Sequence, residues 1–337
     1  MIASLLLFAG TAAVGVVTCR MALRIVTRLS ILDHPNERSS HVHPTPRGGG
    51  LGIVAALLPG AAVAAVVRPA GLSFAAYAAI GAATVALAVL GWVDDRRGVG
   101  AAVKLLVQAG AAVAVVAGAG AVRSVALPGA GDVALGAAGP ILTVAWLIAF
   151  SNGFNFMDGI DGLAGLFAGL SGMFLATAAA IAGSNGMQWL ALPVAAASFA
   201  FLTVNRPPAK VFMGDVGSLP LGFLLALIAV LGVEAGVPFP AAFLILGPFL
   251  FDTATTIARR VSRGENLTAA HRSHLYQRLV AAGWSHGRVC ALYGGWTVLT
   301  GLLGLLYLHD STGWRALALS AAAASGVGMV LLVRRAE

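Results

Sequence analysis

Charged residues are scarce in this sequence. Asp, Glu, Lys and Arg make up 10% of its 337 residues, against roughly a quarter in an ordinary soluble domain. Hydrophobic residues make up 59%, so the composition excludes a soluble enzyme. The net charge of +8 is compatible with nucleic-acid binding only if the basic residues share one face of a soluble fold. They lie between apolar stretches instead, and we predict no nucleic-acid partner.

Cysteine is also scarce. Two cysteines, Cys19 and Cys290, are too few for a disulfide framework. Both lie beside arginine-bearing ends of apolar runs, which indicates ordinary helix residues on a reducing, cytoplasmic side. The first apolar run lacks the preceding basic segment of a secretory signal peptide, so we interpret it as a retained membrane span.

Long apolar runs are abundant. Runs long enough to cross a bilayer as helices, more than about 17 residues, lie at 2–23, 50–67, 74–93, 101–120, 138–156, 162–183, 187–204, 217–235, 239–258, 287–307 and 314–333. We therefore predict an all-α, polytopic membrane bundle of eleven helices, with ten as the alternative, that forms one catalytic domain over residues 1–337. The fifth run ends in polar residues, where a break is the alternative.

Lys and Arg are distributed unevenly between the two sides of the predicted bundle. Most lie in one set of loops, and the other set contains only Arg68, Arg123 and Arg315. Because loops rich in Lys and Arg stay in the cytoplasm, we predict a periplasmic N-terminus and a cytoplasmic C-terminus. This requires an odd number of spans and so agrees with eleven. The predicted cytoplasmic loops lie near 24–49, 94–104, 152–162, 205–217 and 259–287.

Most acidic residues collect at the same predicted face, the exceptions being Asp132, Glu234 and Asp310. Charges at membrane depth are costly and by default functional. Asp94 and Asp95 end the third span, where acids oppose the helix macrodipole unless a cation compensates. Paired carboxylates near a divalent metal, or one acting as a general base, explain this pair. A solvated helix terminus is the alternative.

Two further acidic motifs contain glycine. Asp158 and Asp161 are each followed by glycine, which lets the backbone turn tightly around a ligand. A helix-breaking cap is the alternative there, and the ligand spacing of an EF-hand is missing. Asp215 follows Lys210 and Gly214 just before the eighth span. A helix N-terminus with a lysine and a carboxylate suits a phosphate and its Mg²⁺, and capping by Asp215 is the alternative.

Basic and histidine side chains lie in loops at this face. His271, His274 and Arg278 belong to the longest predicted cytoplasmic loop; the histidines share a helix face, and no zinc-spaced partner is evident. Arg47 precedes three glycines that open the second span, a pattern that can form an anion nest. Lys104 opens the fourth span. We predict that the loop of His271, His274 and Arg278 binds a phosphate or a nucleotide. The alternative is that its arginines only anchor the loop in the cytoplasm.

In this order, these segments resemble the bacterial polyprenyl-phosphate N-acetylhexosamine-1-phosphate transferases of glycosyltransferase family 4, which include the muramoyl-pentapeptide phosphotransferase. The resemblance covers nearly the whole chain. It rests on Pro-Thr-Pro-Arg-Gly-Gly-Gly at 44–50, Asp-Asp at 94–95, Asn-Phe-Met-Asp-Gly-Ile-Asp-Gly at 155–162, Phe-Met-Gly-Asp-Val-Gly-Ser at 212–218 and the loop 271–278. That loop lacks the consecutive histidines of the muramoyl-pentapeptide enzymes and is more similar to the O-antigen and surface-polysaccharide branch.

The resemblance implies transfer of N-acetylhexosamine 1-phosphate from a UDP-sugar to undecaprenyl phosphate, with release of UMP and a requirement for Mg²⁺ or, alternatively, Mn²⁺. It implies a multi-pass protein of the inner (plasma) membrane, active on the cytoplasmic face in O-antigen, lipopolysaccharide or other cell-envelope polysaccharide synthesis. A homodimer is a further expectation. Tyr276 stands where related N-acetylglucosamine enzymes carry a histidine, which favours a 6-deoxy sugar such as N-acetylfucosamine or N-acetylquinovosamine.

The resemblance also implies residue roles. Asp215, Asn155 and Asp158 are expected to hold the metal, and Asp94 and Asp95 to position or deprotonate the lipid phosphate. Asp161, Asn205 and Phe212 would line the uridine site, Phe212 by stacking. The other expected substrate contacts are Arg47, Lys104, Lys210, His271, His274 and Arg278.

Other functions are kept as alternatives. A UDP-MurNAc-pentapeptide phosphotransferase of peptidoglycan synthesis is the nearest. A secondary transporter predicts ionisable residues near the bilayer midplane and broken helices in paired halves, whereas these acids lie at one face. A CDP-alcohol phosphotransferase shares the Asp-Gly pairs, but the rest of its long Asp/Gly/Arg spacing is missing.

Overall fold

The structure, a computed structural model, describes residues 2–33, 44–67, 72–127, 131–266 and 271–337. Most of these residues are helical. The helices are α1 (Ile2–Arg28), α2 (Gly50–Val67), α3 (Phe74–Arg97), α4 (Ala101–Ala119), α5 (Ala138–Met157), α6 (Leu163–Ile181), α7 (Asn185–Asn205), α8 (Asp215–Glu234), α9 (Phe239–Ile245), α10 (Gly247–Ser262), α11 (Leu275–Ala281), α12 (His286–Tyr307) and α13 (Thr312–Ala336). Four short strands form two antiparallel pairs, β1 (Leu32–Asp33) with β2 (Thr45–Pro46) and β3 (Ser124–Leu127) with β4 (Gly131–Ala134).

The described residues contain ten helices that are long and apolar enough to cross a membrane, or eleven spans if α9 and α10 are counted as one. The predicted all-α bundle of ten or eleven spans is therefore confirmed. The predicted fifth span is continuous as α5, so the alternative of a break there is wrong, and the chain bends by 83° between α9 and α10 instead. Pro248 follows this bend; it lacks an amide hydrogen and disfavours a helical residue before it.

Helix α8 lies at the centre of the bundle. Its apolar segment is 94% buried, whereas those of α1, α4 and α13 are 22% buried. A helix that is apolar on all sides is expected in such a buried position. Helix α8 packs against α2, α3, α5, α6, α7 and α9. Its first residue, Asp215, is consequently held inside the bundle rather than at its edge.

Glycines bring two neighbouring helices against the first turn of α8. A Cβ atom on Gly91 of α3 would lie 2.3 Å from the backbone carbonyl of Asp215, and one on Gly50 of α2 would lie 2.4 Å from the Cα atom of Gly217. Small residues allow this backbone approach between membrane helices. Because Asp94 and Asp95 lie about one turn after Gly91, the approach places them beside Asp215.

Successive spans run in opposite directions, which gathers one set of helix ends at one membrane face. This face, called the polar face below, carries the C-terminal ends of α1, α3, α5, α7, α10 and α13 and the N-terminal ends of α2, α4, α6, α8 and α12. At this face the segment before α2 pairs with the segment before α8. The Phe212 amide donates to the Pro46 carbonyl at 2.8 Å, and the Gly49 amide donates to the Phe212 carbonyl at 2.9 Å. Arg47, between Pro46 and Gly49, is thereby fixed beside the start of α8.

Candidate active site

Asp95 is built into the start of α8. Its side chain is 0% exposed, and its carboxylate oxygens accept hydrogen bonds from the backbone amides of Asp215 at 2.9 Å and Val216 at 3.1 Å. An anion at a helix N-terminus is favoured by the unpaired amides and by the macrodipole. Asp95 therefore caps α8 from a neighbouring helix. Asp215 is itself the first residue of α8 and does not cap it, so the capping alternative is wrong; the binding of a phosphate and its Mg²⁺ beside this helix start stays a prediction.

Arg47 joins two carboxylates. Its Nε lies 2.8 Å from Asp95 Oδ1, and its Nη2 lies 2.9 Å from Asp215 Oδ1. Burial acts to lower the pKa of Arg47, but the charges of Asp95 and Asp215 outweigh it and raise that pKa above its ordinary value. The guanidinium is therefore a permanent cation that fixes the relative positions of α3 and α8.

Lys104 pairs with Asp94, the other acid at the end of α3, and also with Asp215. Its Nζ lies 2.5 Å from Asp94 Oδ2 and 3.3 Å from Asp215 Oδ2. The second oxygen of Asp94 accepts the Val99 amide at 2.6 Å. The connection between α3 and α4 is short. Lys104, in the first turn of α4, therefore lies beside Asp94 in the last turn of α3. Asp215 is thus flanked by two cations.

Asn155 contacts Asp215 from a third helix. Its Nδ2 donates to Asp215 Oδ2 at 3.3 Å, while its Oδ1 accepts the Ser218 hydroxyl at 2.7 Å. The second bond determines which end of the amide faces Asp215. The last turn of α5 and the first turn of α8 therefore contribute to one polar site, as the resemblance implied.

Asp158 completes the group at the end of α5. Asp158 is the C-cap residue of α5, and the Gly214 backbone amide favours its charged form. Burial raises the pKa of Asp158 well above its ordinary value; the positive charge of Arg47 opposes this, and the negative charges of Asp215 and Asp95 add to it. Asp158 therefore experiences the same electrostatic environment as the other acids.

Asp94, Asp95, Asp158 and Asp215 form what we call the acidic cluster, and within the described residues its ion-pair partners are Arg47 and Lys104. Within the described part of the chain, no three His, Cys, Asp or Glu side chains are placed to hold a metal by themselves. Mg²⁺ commonly binds one or two carboxylates together with substrate phosphates. The carboxylate oxygens of Asp215 and Asp158, and the excess of carboxylates over cations, fit such an ion. Asn155 would join them by releasing its Oδ1 from the Ser218 hydroxyl.

The predicted uridine residues lie at the next loop. Both ends of the buried Asn205 amide bond to backbone, since Oδ1 accepts the Gly162 amide at 2.9 Å and Nδ2 donates to the Val211 carbonyl at 2.8 Å. Asp161 accepts the Ala209 amide at 3.1 Å and lies 3.2 Å from His286 Nδ1. These side chains hold two loops together, and direct contact with uridine stays a prediction for both.

Three other predicted residues lie apart from the acidic cluster. Phe212 is half-buried and is held by its backbone beside Arg47. Lys210 is exposed, and its side chain has no bond to the acidic cluster in the residues that the structure describes. Arg278 forms two bonds with Glu337, from Nε to Oε1 at 2.6 Å and from Nη2 to Oε2 at 2.5 Å. Their contacts with substrate stay predictions.

Asp252 is a residue that the sequence reasoning did not select for the site. It is 0% exposed, and its carboxylate accepts the amides of Leu275 at 2.9 Å and Tyr276 at 3.2 Å and the Tyr293 hydroxyl at 2.5 Å. It also lies 3.1 Å from His274 Nδ1. Asp252 therefore caps α11 and holds the histidine loop. Its sequence signal was an acid within an apolar span.

The two loop histidines differ in their environment. With Nδ1 directed to Asp252, His274 has a buried Nε2 that finds no hydrogen-bond partner among the described residues. Its ring lies 5.2 Å from that of His271. Burial, Arg260 and His274 lower the pKa of His271 to about 4. His271 is therefore neutral near pH 7, so it can meet a phosphate by hydrogen bonding and not by charge.

The state of His271 is testable by NMR on histidine-labelled protein. We expect the His271 ring to remain neutral at pH 6 and to titrate near pH 4, because its surroundings disfavour the protonated form. The resonance is assigned by its loss in a His271→Asn variant. The unfolded chain takes up a proton on His271 near pH 6.5, whereas the folded protein does so only near pH 4. The folded protein therefore loses stability as the pH falls between these two values. A midpoint between pH 6 and 7 would contradict the assigned environment.

Asp252→Asn should loosen the histidine loop. The amide group replaces one acceptor with a donor, and at least one of the donors around Asp252 then faces it unpaired. We expect amide hydrogen exchange at Leu275 and Tyr276 to become roughly tenfold faster or more. Asp310→Asn is the matched control, since Asp310 is exposed and pairs with Arg315. Unchanged exchange in Asp252→Asn would show that other contacts hold the loop.

Together, the apolar spans and the acidic cluster define a multi-pass membrane protein with a charged site at one face. The sequence pattern of glycosyl transferase family 4 matches residues 77–233. The "probable undecaprenyl-phosphate N-acetylglucosaminyl 1-phosphate transferase" of Bacillus subtilis is 34% identical over 270 residues, which cover 78% of this chain and 73% of the relative. The protein belongs to glycosyl transferase family 4 and is a transferase, which confirms the family predicted from its motifs.

Two further relatives support this assignment. The decaprenyl-phosphate N-acetylglucosaminephosphotransferase of Mycobacterium tuberculosis H37Rv is 33% identical over 309 residues, covering 81% of this chain and 74% of the relative. The phospho-N-acetylmuramoyl-pentapeptide-transferase of Gloeothece citriformis is 30% identical over 236 residues, covering 64% and 63%. The similarity to the N-acetylglucosamine enzymes thus extends over more of the chain.

Proposed function

We propose that this protein transfers N-acetylhexosamine 1-phosphate from a UDP-sugar to undecaprenyl phosphate and releases UMP. The observation that carries the proposal is the acidic cluster, which gathers at the polar face around Arg47 and Lys104. The names of the relatives support the reaction class, since they combine a polyprenyl phosphate with an amino-sugar phosphate. The proposed location of the polar face is the cytoplasmic side of the plasma membrane, based on its Lys and Arg content.

The reaction requires two anions to approach each other. A phosphate oxygen of the lipid attacks the β-phosphorus of the UDP-sugar, and the bond between that phosphorus and the bridging oxygen of UMP breaks. When bound by Asp215, Asn155 and Asp158, Mg²⁺, with Mn²⁺ as the alternative, would neutralise charge on the diphosphate. Arg47 and Lys104 add fixed positive charge beside Asp215. We propose that these two residues also contact the phosphates.

The two adjacent acids of α3 are proposed to have different roles. The side chain of Asp94 is 12% exposed and that of Asp95 is 0% exposed. Asp95 pairs with Arg47 and accepts the first amides of α8, so we assign it a positioning role. Asp94 is the more accessible carboxylate, and we assign it the positioning or deprotonation of the lipid phosphate. The unpaired Nε2 of His274 is assigned to the phosphates of the nucleotide sugar.

The proposed donor is UDP-N-acetylglucosamine, with the N-acetylfucosamine and N-acetylquinovosamine nucleotides as alternatives. Tyr276 was the reason to expect a 6-deoxy sugar, but its buried hydroxyl donates to the Phe156 carbonyl at 2.9 Å. That contact gives Tyr276 a structural role, and the names of the relatives favour N-acetylglucosamine as the donor sugar. The lipid-linked product would begin a cell-envelope polysaccharide, for which O-antigen remains our proposal.

A panel assay tests the proposed donor. The full chain, purified in detergent, is incubated with undecaprenyl phosphate, MgCl₂ and one donor at a time from UDP-N-acetylglucosamine, UDP-N-acetylfucosamine, UDP-N-acetylquinovosamine and UDP-MurNAc-pentapeptide. We expect UMP with at least one of the first three, and none without lipid or with EDTA. UMP from UDP-MurNAc-pentapeptide alone supports the peptidoglycan alternative, and absence of UMP throughout rejects the reaction.

A further inference from the structure

A cavity separate from the acidic cluster lies at the polar face, between the C-terminal ends of α10 and α13 and helix α11. Its volume is about 450 Å³, and Arg259, Arg263, Arg278 and Arg334 all line it. None of its lining residues belongs to the acidic cluster. Four guanidinium groups around one cavity indicate a site for an anion, because like charges repel unless a counter-charge is present.

Few acidic groups in the described residues balance these arginines. Arg278 pairs with Glu337, and Arg263 Nη1 lies 4.0 Å from Glu265 Oε1. Arg334 has neither a hydrogen bond nor an ion pair within the described part of the chain. Both glutamate side chains are exposed, so solvent weakens their effect. The cavity therefore retains excess positive charge.

The surroundings of the cavity distinguish a lipid from a small soluble anion. Val327 and Leu331 are exposed apolar residues and lie on the same face of α13 as Arg334, seven and three residues before it. Exposed apolar side chains on membrane-spanning helices contact lipid chains, and basic pockets between such helices bind anionic headgroups.

We propose that this cavity binds the phosphate headgroup of an anionic phospholipid whose acyl chains lie along α13. The headgroup joins three helices, because Arg259 and Arg263 belong to the α10 end, Arg278 to α11 and Arg334 to α13. Arg259 Nη2 also donates to the Ser273 carbonyl at 2.5 Å, which links the site to the histidine loop. Arg278 is also an expected substrate contact, so the test below changes Arg263 and Arg334, which are not.

Native mass spectrometry of the delipidated full chain in detergent tests the site. In a titration with dioleoyl phosphatidylglycerol, we expect one lipid to bind with a Kd that the double variant Arg263→Gln/Arg334→Gln weakens about 25-fold, roughly fivefold for each arginine. The control Arg28→Gln/Arg335→Gln removes two arginines from the polar face that do not line the cavity, and its Kd should stay within about twofold.

Separate arms identify the ligand. Dioleoyl phosphatidylcholine should bind much more weakly than dioleoyl phosphatidylglycerol, and inorganic phosphate should not displace the bound lipid. Equal binding of both lipids, displacement by inorganic phosphate, or an unchanged Kd in the double variant would each overturn the proposal. Size-exclusion chromatography verifies folding, and if the double variant aggregates, Arg334→Gln alone should weaken binding about fivefold.

Discussion

Asp215→Asn should reduce UMP release by roughly 10²–10³-fold while the protein remains folded. Asn has nearly the same shape as Asp but carries no negative charge. The carboxylate of Asp215 contacts Arg47, Lys104 and Asn155, and we propose it as a metal ligand. The substitution therefore removes the central charge of the site and leaves the apolar packing of α8 in place. Initial rates at saturating donor and lipid measure the effect.

The matched control for Asp215→Asn is Glu234→Gln at the other end of the same helix. Glu234 pairs with the exposed Arg123 at 3.9 Å and lies at the opposite membrane face, so near-normal activity is expected. Thermal stability followed by size-exclusion chromatography separates a lost charge from a lost fold. If Asp215→Asn retained full activity in the folded state, Asp215 would have no part in the reaction.

Gly91→Ala should destabilise the bundle and displace the acids of α3. The added Cβ would lie 2.3 Å from the backbone of Asp215, and a backbone neighbour cannot move aside as a flexible side chain can. Overpacking commonly costs about 1–3 kcal/mol, and separation of α3 from α8 would also displace Asp94 and Asp95. We expect a lower melting temperature by several degrees and strongly reduced activity.

Gly81→Ala is the control for this packing prediction. Gly81 lies on the same helix, and an added Cβ there has no heavy atom within 4 Å. Its melting temperature and activity should match those of the parent protein or rise slightly, because alanine favours helix more than glycine does. Similar melting temperatures for Gly91→Ala and Gly81→Ala would contradict the close contact between α3 and α8.

The sequence was sufficient to predict the spans because their signal is local. Long apolar runs bounded by polar loops determine where helices cross a membrane, and α2 begins and ends at the predicted residues 50 and 67. The bend between α9 and α10 was not predicted. A proline near the start of a helix is compatible both with a new helix and with a kink, so the 83° angle depends on packing of the surrounding helices.

The acids of the site could be selected from sequence, but their partners could not. Asp94 and Asp95 are adjacent and look equivalent, yet Asp95 caps α8 and Asp94 pairs with Lys104. These different roles arise because Asp95 faces the start of α8 and Asp94 faces the start of α4, and the sequence does not show which helix ends meet. Asp252 was noted only as an acid at the same face, because its partners Tyr276 and Tyr293 follow it by more than twenty residues and no spacing rule connects them.

The most direct test of the central claim follows the β-phosphate of the donor. The full chain is incubated with UDP-N-acetylglucosamine, or the donor that the panel identifies, labelled with ³²P at the β-position, together with undecaprenyl phosphate and MgCl₂. We predict that the label enters the lipid extract and that the released UMP is unlabelled, since the broken bond joins the β-phosphorus to the oxygen of UMP. Label that remains in water as UDP, with sugar alone on the lipid, would contradict phosphosugar transfer.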